Sequence, residues 1–519
     1  MTELAEPVAL NDDQKASLKV LAEREEYREW YRKEHDPLPD ARLRWRAQSF
    51  RHLTHLIPGE SVLEIGLGDG TFRRRLEEIT HHENPVTSIA FGGKSDQTNF
   101  PQGTVFSAEQ LYQLEEEGRK FNHIVANDLL DYRNCGDFLM RVINLLHPGG
   151  QAILYVTNPW NPFLRLRRAL GFARDDHRQL LSRPQLYELM SEIGFIRIFA
   201  VFNDFVYGWL ARFSPFLMKN ASVLAENVPS LRWFAGAIIV HGQKPGSSVR
   251  DPIQLTDHDE LEKKISYVIP CHNEEMNVIP LVKAIRSHYD RYIHEIVLVD
   301  DNSKDRTREV IEKLAAEDPR ITPVIRTPPP GVGNALRDGY AAATGEYIHS
   351  LDCDFQHLLP EFRDMYDAAV KQDADVVVGS RFSRMSILLN YPWLKIVANR
   401  GFHVLFNLLF WKRFRDLTNN LKLSKRKVLQ SIEIKSSGFS ANAETGLLPI
   451  LHGFKVIEVP ISWINRTPSM GASSFRLASV GMGYAEVLGL LFVQRFTKHE
   501  DFAHPDEPKS GERKEGGGT

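Results

Sequence analysis

Short β-branched runs alternate with helical patterns twice along this chain of 519 residues, and a polar, turn-rich stretch from Lys244 to about Glu260 (KPGSSVRDPIQLTDHDE) separates the two series. In the second series the runs are ISYVIP, EIVLVDD, ITPVIR, YIHSLD and ADVVVG, with MNVIPLVKAIRSHY and TREVIEKLAAE between them. A strand, a helix and a further strand in succession satisfy their backbone groups through a right-handed crossover onto parallel sheet. The sequence therefore predicts an α/β protein of two doubly wound domains. The bounds read as a helical extension at 1–44 (with LAEREEYREWYRKEH), a first domain at 45–245 and a linker at 246–261. A second domain follows at 262–497, and the tail at 498–519 has too little apolar surface to order itself.

Composition narrows the function. The 64 basic and 67 acidic side chains leave a formal charge of -3, which lacks the basic footprint of a nucleic-acid binder, so nucleic acid is not an expected partner. Cys135, Cys271 and Cys353 are far apart and odd in number. They give no legible disulfide framework or thiolate metal site, and a reducing cytoplasm is the expected compartment. The first twenty residues carry acids where a secretory signal needs a basic start and an apolar run.

No uninterrupted apolar stretch reaches the roughly 18 residues that a spanning helix needs. Gly401 to Trp411 (GFHVLFNLLFW) and Leu477 to Phe496 come nearest, and Asn399, His403 and Asn407 recur every four residues, one polar stripe on a helix. Both segments read either as core helices or as interfacial helices. The second reading adds a membrane surface to the expected partners and a peripheral position on the inner face of the plasma membrane to the expected locations.

Ligands of an open parallel sheet sit beyond the carboxyl ends of its strands, and here the closing residues are acidic. EIVLV ends in Asp300 and Asp301, and YIHSL ends in Asp352-Cys353-Asp354-Phe355-Gln356. Side chains two apart in an extended segment point the same way, so Asp352, Asp354 and Gln356 can share one site. Three hard oxygen ligands suit Mg2+ or Mn2+, an ion able to neutralise a departing diphosphate. The turn Gly331-Val332-Gly333-Asn334 precedes a helical pattern whose free amides would welcome phosphate. Arg381, Arg400 and Arg466 offer guanidinium groups for further phosphate contacts.

Taken in order, these motifs resemble glycosyltransferase family 2, in its dolichyl- and polyprenyl-phosphate sugar transferase branch, from Ile265 to Arg495. The resemblance implies a nucleotide-diphospho-sugar transferase fold of the GT-A type. VIPCHNEE is similar to the opening nucleotide strand, which implies Pro270, His272 and Glu274 as donor contacts, with His272 where a tyrosine is usual. LVDDNSKDRT implies that Asp300 or Asp301 contacts base or ribose, and GSRF places Arg381 on the donor. LDCDFQHLLPE is similar to the metal motif, implying Asp352, Asp354 and Gln356 as metal or diphosphate ligands. VANRGFHVLF, DLTNNLKL, GFSANAE and the stretch holding Arg466, Ser473 and Ser474 resemble the acceptor half. Two departures stand out: Lys422 replaces a customary arginine, and Ser474 stands where lysine is frequent.

The expected partners are a nucleotide-sugar donor and a polyprenyl-phosphate or lipid-linked glycan acceptor. The resemblance implies single displacement with inversion, with Asp352, Asp354, Arg400 and Arg466 in the catalytic set. A lipid phosphate is already an anion and needs no base; a sugar hydroxyl would, and Asp416 is then the candidate. A nucleotidyltransferase is the rival reading of this half.

In the first domain, SVLEIGLGDGTFRRRL is a strand, a glycine loop and a helix start, followed by FNHIVANDLLDY and FLMRVINLLHPGGQAILYVTNP. This succession resembles class I S-adenosylmethionine-dependent methyltransferases of Rossmann-like fold, from about 45 to 200. The resemblance implies S-adenosylmethionine as cofactor, with Glu64, Gly66, Gly68 and Gly70 lining its pocket and Asp128 beside it. The second strand, VTSIAFGG, lacks the acid that normally grips the ribose hydroxyls, which leaves a non-catalytic scaffold as the alternative.

Overall fold

A computed structural model describes residues 39–66, 70–90, 105–106, 108–127, 135–170, 181–205, 228, 230–246, 256–354, 359–383, 386, 388–389, 391–464 and 477–497. The chain forms two compact units that divide between Arg250 and Asp251.

The first unit is built on strands β1 (Val62–Gly66), β2 (Val86–Ala90), β3 (Val105–Phe106), β4 (Phe121–Asn127), β5 (Leu146–Thr157), β6 (Ile196–Asn203) and β7 (Ala237–Gln243). Their order is β3-β2-β1-β4-β5-β7-β6, and β7 runs antiparallel to both of its neighbours. Helices α1 (Pro39–Thr54), α2 (Thr71–Ile79), α3 (Ala108–Glu116), α4 (Cys135–Leu145), α5 (Pro162–Ala169) and α6 (Arg183–Ile193) accompany them. Leu63, Ile65, Ile124, Leu154 and Val240 meet Leu139, Val142, Leu186 and Met190 in one buried cluster. Near-continuous apolar strands are what a sheet buried on both faces requires. Helix α6 begins where the sequence can start one: Ser182 and Gln185 bond reciprocally, Pro184 follows the cap, and Gly194 closes the helix at φ 101.

The second unit holds β8 (Ile265–Cys271), β9 (Ile293–Asp300), β10 (Ile321–Ile325), β11 (Tyr347–Ser350), β12 (Val376–Ser380), β13 (Leu388–Leu389), β14 (Lys422–Lys425), β15 (Val456–Pro460) and β16 (Trp463–Ile464). Its helices are α7 (Val278–Tyr289), α8 (Thr307–Glu317), α9 (Val332–Ala342), α10 (Phe362–Lys371), α11 (Trp393–Phe410), α12 (Arg426–Ser431), α13 (Ala441–Leu451) and α14 (Leu477–Thr497). The main sheet runs β10-β9-β8-β11-β14-β12-β15, and β13 pairs with β16 apart from it. The parallel sheet expected from the sequence carries one reversed strand. Strand β14 lies between β11 and β12 and is antiparallel to both, with Lys422 opposite Ser350 and Val378. Its reversed direction has a functional consequence: the residues leading into β14 arrive at the carboxyl ends of β11 and β12, where ligands bind.

Helices α11 and α14 pack on each other through Phe402 and Tyr484 (ring centroids 5.5 Å apart) and through Phe410 and Phe492 (6.1 Å). Their other faces leave Leu408, Trp411, Met482, Leu490 and Phe496 exposed. Among the described residues no helix is long and apolar enough to cross a membrane.

Candidate active site

The carboxyl ends of β8, β9 and β11 lie side by side, since Cys271 pairs with Asp300 and Ser350 with Val268. Asp352 and Asp354 follow β11 at this edge, both half-buried. Asn420, on the approach to β14, donates from Nδ2 to Asp352 Oδ1 at 2.8 Å. Burial pushes the Asp352 carboxyl above its usual range, opposed by that hydrogen bond and by Arg381 and Lys422, while Glu274 pushes it further up. A carboxylate destabilised in this way, with an acid nearby, is one that a cation would restore to its charged form. Lys395 of α11 faces the same place: burial lowers its ammonium, Arg381 lowers it further, and Asp354 raises it. Among the described residues no three His, Cys, Asp or Glu side chains converge as a metal cluster. Gln356 lies outside the described residues. Two carboxylates nevertheless suffice for a Mg2+-like ion that takes its remaining oxygens from diphosphate and water.

Between the tips of β8 and β9 the backbone is cross-tied. Asp301 N–H donates to the Cys271 carbonyl at 2.9 Å, and His272 Nδ1 donates to the Asp301 carbonyl at 2.8 Å, with its ring exposed. Pro270 sits opposite Val299 in β8. Glu274 N–H donates to Thr307 Oγ1 at 2.8 Å, and Asp300 Oδ1 accepts Ser303 N–H at 3.2 Å. Both Asp301 oxygens are engaged, one by Arg326 and one by the Gly331 amide at 2.7 Å.

That clamp belongs to a correction. The amides at the start of α9, read from sequence as a phosphate cradle, are taken by protein: the Ser437 carbonyl accepts from Gly333 at 2.9 Å and from Asn334 at 3.3 Å. Glu444 holds the segment that carries this carbonyl in place, its Oε2 accepting the Lys435 and Ser436 amides at 3.0 Å each. The approach is so close that a Cβ on Gly333 would lie 2.2 Å from the Ser436 carbonyl oxygen. The Gly331, Gly333 and Asn334 amides at the start of α9 are thus occupied within the fold and are not offered to phosphate.

Arg381, at the end of β12, is buried and bonds Asp416 bidentately, Nε to Oδ2 at 2.7 Å and Nη2 to Oδ1 at 3.0 Å. Its own amide adds a third bond to Asp416 Oδ2 at 3.0 Å, and Nη1 reaches the Tyr391 hydroxyl at 3.2 Å. The guanidinium carbon stands 5.3 Å from the Trp463 ring centroid. Burial alone would raise the Asp416 carboxyl, but Arg381 outweighs it and holds the acid well below the usual carboxylate range. A carboxylate so fully engaged is a weak proton acceptor, which corrects the expectation of Asp416 as a base. Arg381 is likewise held by its own ion pair. Lys422, buried beneath, bonds the carbonyls of Asn419 and Asn442. Burial draws its ammonium down to about 7, against the pull of Asp416.

Arg400 donates from Nη1 to the Arg415 carbonyl at 2.9 Å and lies 5.5 Å over the Phe382 ring. Burial lowers its guanidinium, and Asp416 and Glu458 raise it. Arg466, Ser473 and Ser474 lie outside the described residues.

The polar stripe of α11 turns inward, as a zipper along residues 414–418. Asn399 Nδ2 donates to Thr418 Oγ1 at 2.9 Å, His403 Nε2 accepts the Leu417 amide at 2.8 Å, and Asn407 exchanges two bonds with Phe414 at 2.8 and 2.9 Å. The four-residue spacing marks these residues in the sequence; their partners at 414–418 are not readable from it. His403 Nδ1 donates to the Asn399 carbonyl at 2.8 Å, which fixes the neutral tautomer. Burial lowers this imidazole from 6.5 to about 4. The unfolded chain takes up the proton near pH 6.5 and the folded chain only near 4, so the contribution of His403 is complete above the upper value and is lost on acidification between the two. Urea titrations should show up to about 3 kcal/mol of stability lost across that window, with a shallower pH slope in His403→Gln. Equal slopes in the two proteins would contradict this assignment.

In the first unit Gly66 ends β1 and Gly70 caps α2 at φ 68, a left-handed conformation that favours glycine. Glu64 is buried, and its Oε2 accepts the Ser88 hydroxyl of β2 at 2.7 Å. Gly68 and Asp128 lie outside the described residues. Two arginines that sequence reasoning missed come from α1 to the carboxyl end of this sheet. Arg42 Nε stands 2.9 Å from Asp204 Oδ2, and Arg46 bonds Asp204 at 3.3 Å and Asn127 at 3.1 Å.

Comparison with known proteins follows the same division. The family model for glycosyl transferase family 2 matches residues 266–432, and that for a methyltransferase domain matches residues 34–196. Polyprenol monophosphomannose synthase of Mycolicibacterium smegmatis is 30% identical over 254 residues, spanning 46% of this chain and 91% of that protein. Dolichol-phosphate mannosyltransferase of Pyrococcus furiosus is 28% identical over 205 residues, which are 38% of this chain and just 56% of the relative. Glucosyl-3-phosphoglycerate synthase of Mycobacterium tuberculosis, solved with Mn2+ and UDP-glucose, aligns over 48% of this chain and 84% of its own at 17% identity and a TM-score of 0.35. Near-complete coverage of the mycobacterial relative, over an edge where the motif acids of β8, β9 and β11 stand together, establishes that this chain belongs to glycosyl transferase family 2 and carries a methyltransferase domain ahead of it.

Proposed function

We propose that the second unit transfers a sugar, with inversion, from a nucleotide-sugar donor to a polyprenyl phosphate. The observation that carries this reading is the bidentate Arg381–Asp416 pair: it ties up Asp416, the candidate base, and an acceptor that is already an anion needs none. The names of the two curated relatives point to the same acceptor class. In this reading the nucleoside lies over the tips of β8 and β9, against Pro270, His272, Glu274 and the Asp300–Asp301 pair. Asp352 and Asp354, with Gln356, hold Mg2+ or Mn2+, which supplies positive charge for the departing diphosphate. Asn420 orients Asp352, and Lys395 adds positive potential beside it. Arg400 and Arg466 position the acceptor phosphate for in-line attack. The exposed apolar faces of α11 and α14 set the unit against the membrane that holds such a lipid, at the inner face of the plasma membrane.

A screen of radiolabelled sugar nucleotides with polyprenyl phosphate and Mn2+ tests the reading. Label in the lipid fraction with release of nucleoside diphosphate is the expected result. Release of pyrophosphate would establish a nucleotidyltransferase instead.

The first unit is proposed to bind S-adenosylmethionine over Gly66, Gly68 and Gly70, with Glu64 and Asp128 beside it, and to methylate a sugar or lipid-linked glycan. The cofactor supplies the methyl group. With Ala90 ending β2 in place of an acid, and Glu64 tied to Ser88, ribose recognition falls to fewer hydrogen bonds than usual. Calorimetric titration should therefore give a measurable but weak affinity. Absence of heat at millimolar cofactor would leave the domain a scaffold.

A further inference from the structure

We infer that the methyltransferase unit carries its own docking surface for an anionic lipid membrane, formed by Trp160, Trp233 and helix α5. Phe163 and Leu166 stand three residues apart on α5 (Pro162–Ala169), and Trp160 and Leu170 flank its two ends, so that the four form one apolar stripe along this segment. That stripe faces solvent: the four side chains are 44%, 49%, 56% and 59% exposed, and Trp233 beside them is 50% exposed. The Trp160 and Trp233 rings meet edge to face at 5.7 Å, and Phe163 lies 5.8 Å from Phe234.

The display is rigidly held. Buried Asn158 donates from Nδ2 to the carbonyls of Trp233 (3.2 Å) and Ala235 (2.9 Å). Buried Asn161 donates to those of Phe234 (3.1 Å) and Ala235 (2.9 Å), while its Oδ1 accepts the Phe163 and Leu164 amides at the start of α5. Two buried amides thus fix an apolar ridge in water, where apolar surface is unfavourable unless something covers it.

Charge selects the occupant. From Asn158 to Phe172 the sequence has three arginines, Arg165, Arg167 and Arg168, and no acid. Exposed Arg165 lies 5.4 Å over the Trp160 ring, and Arg232 adjoins Trp233. Tryptophan, phenylalanine and leucine flanked by arginine match the boundary between headgroups and acyl chains of an anionic bilayer. Helix α5 also follows the carboxyl end of β5, the end at which Gly66 closes β1, so a methyl acceptor held in that bilayer would be met at the cofactor edge. The surface itself does not depend on the sugar-transfer reading.

The test uses the full chain and vesicles of phosphatidylcholine with and without phosphatidylglycerol. A Trp160→Ser, Arg165→Glu, Leu166→Ser variant is compared with the parent and with a Leu408→Ser, Trp411→Ser variant in the second unit. The α5 variant should partition onto the anionic vesicles about tenfold or more weakly, the effect of withdrawing even one buried apolar side chain. Its thermal unfolding should match the parent, and if it does not, Leu166→Ser alone gives the comparison. Parent-like partitioning of a folded α5 variant would overturn the proposal and leave membrane contact to α11 and α14. A self-associated parent that the same substitutions render monomeric, without change in vesicle binding, would overturn it in favour of an interface between copies.

Discussion

Asp354→Ala is expected to lower sugar transfer on the order of 10³-fold while leaving the fold intact, because it removes one of the two carboxylates that hold the ion whose charge offsets that of the departing diphosphate. Asp352 is fixed by Asn420, and Asp354 is the other carboxylate of the motif beyond β11. Its half-buried position makes the substitution tolerable to packing. Steady-state turnover with saturating donor, alongside circular dichroism and urea unfolding, checks both parts. A variant of native stability that retains a tenth or more of the parent rate would remove Asp354 from the chemistry.

Asp416→Ala should behave in the opposite manner, as a failure of structure. The carboxylate receives Nε, Nη2 and the amide of Arg381, and Asn399 and Thr418 bond it as well. Removing it strands a buried guanidinium, a loss of about 3–5 kcal/mol in comparable buried pairs. Urea unfolding of the second unit reads this directly. Asp416→Asn, which keeps the shape and one acceptor, should lose less. A transferase that is catalytically dead yet as stable as the parent in Asp416→Asn would return Asp416 to the role of a base.

The contrast between these two aspartates marks the limit of what the sequence conveys. Acids closing β-branched runs were legible because strand periodicity and strand ends are local properties, and they place Asp300, Asp301, Asp352 and Asp354 on one edge. Partners were not legible. Arg381 and Asp416 each read as a reactive group when taken alone; their mutual neutralisation depends on β14 entering the sheet antiparallel between β11 and β12. The start of α9 reads as an anion site for the same reason, since nothing near Gly333 in sequence announces that the Ser437 carbonyl will occupy its amides. On α11 the four-residue polar spacing was visible, and only the fold tells that it grips residues 414–418 instead of facing water.

In the first unit the glycine turn and the Pro-Gly-Gly segment carried the family likeness, while the Arg42, Arg46 and Asp204 cluster joins residues more than 150 positions apart. Long-range ion pairs of this kind have no periodicity to betray them. They nevertheless decide which groups at a strand tip remain available for a ligand.

The most direct test of the account is calorimetric titration of GDP and UDP into the intact protein with Mn2+ and again with excess chelator. Binding of one nucleotide that needs the ion, and that disappears when both Asp352 and Asp354 are replaced by alanine, is the predicted result. Equal affinity with chelator, or undiminished Mn2+-dependent binding in the double variant, would contradict it.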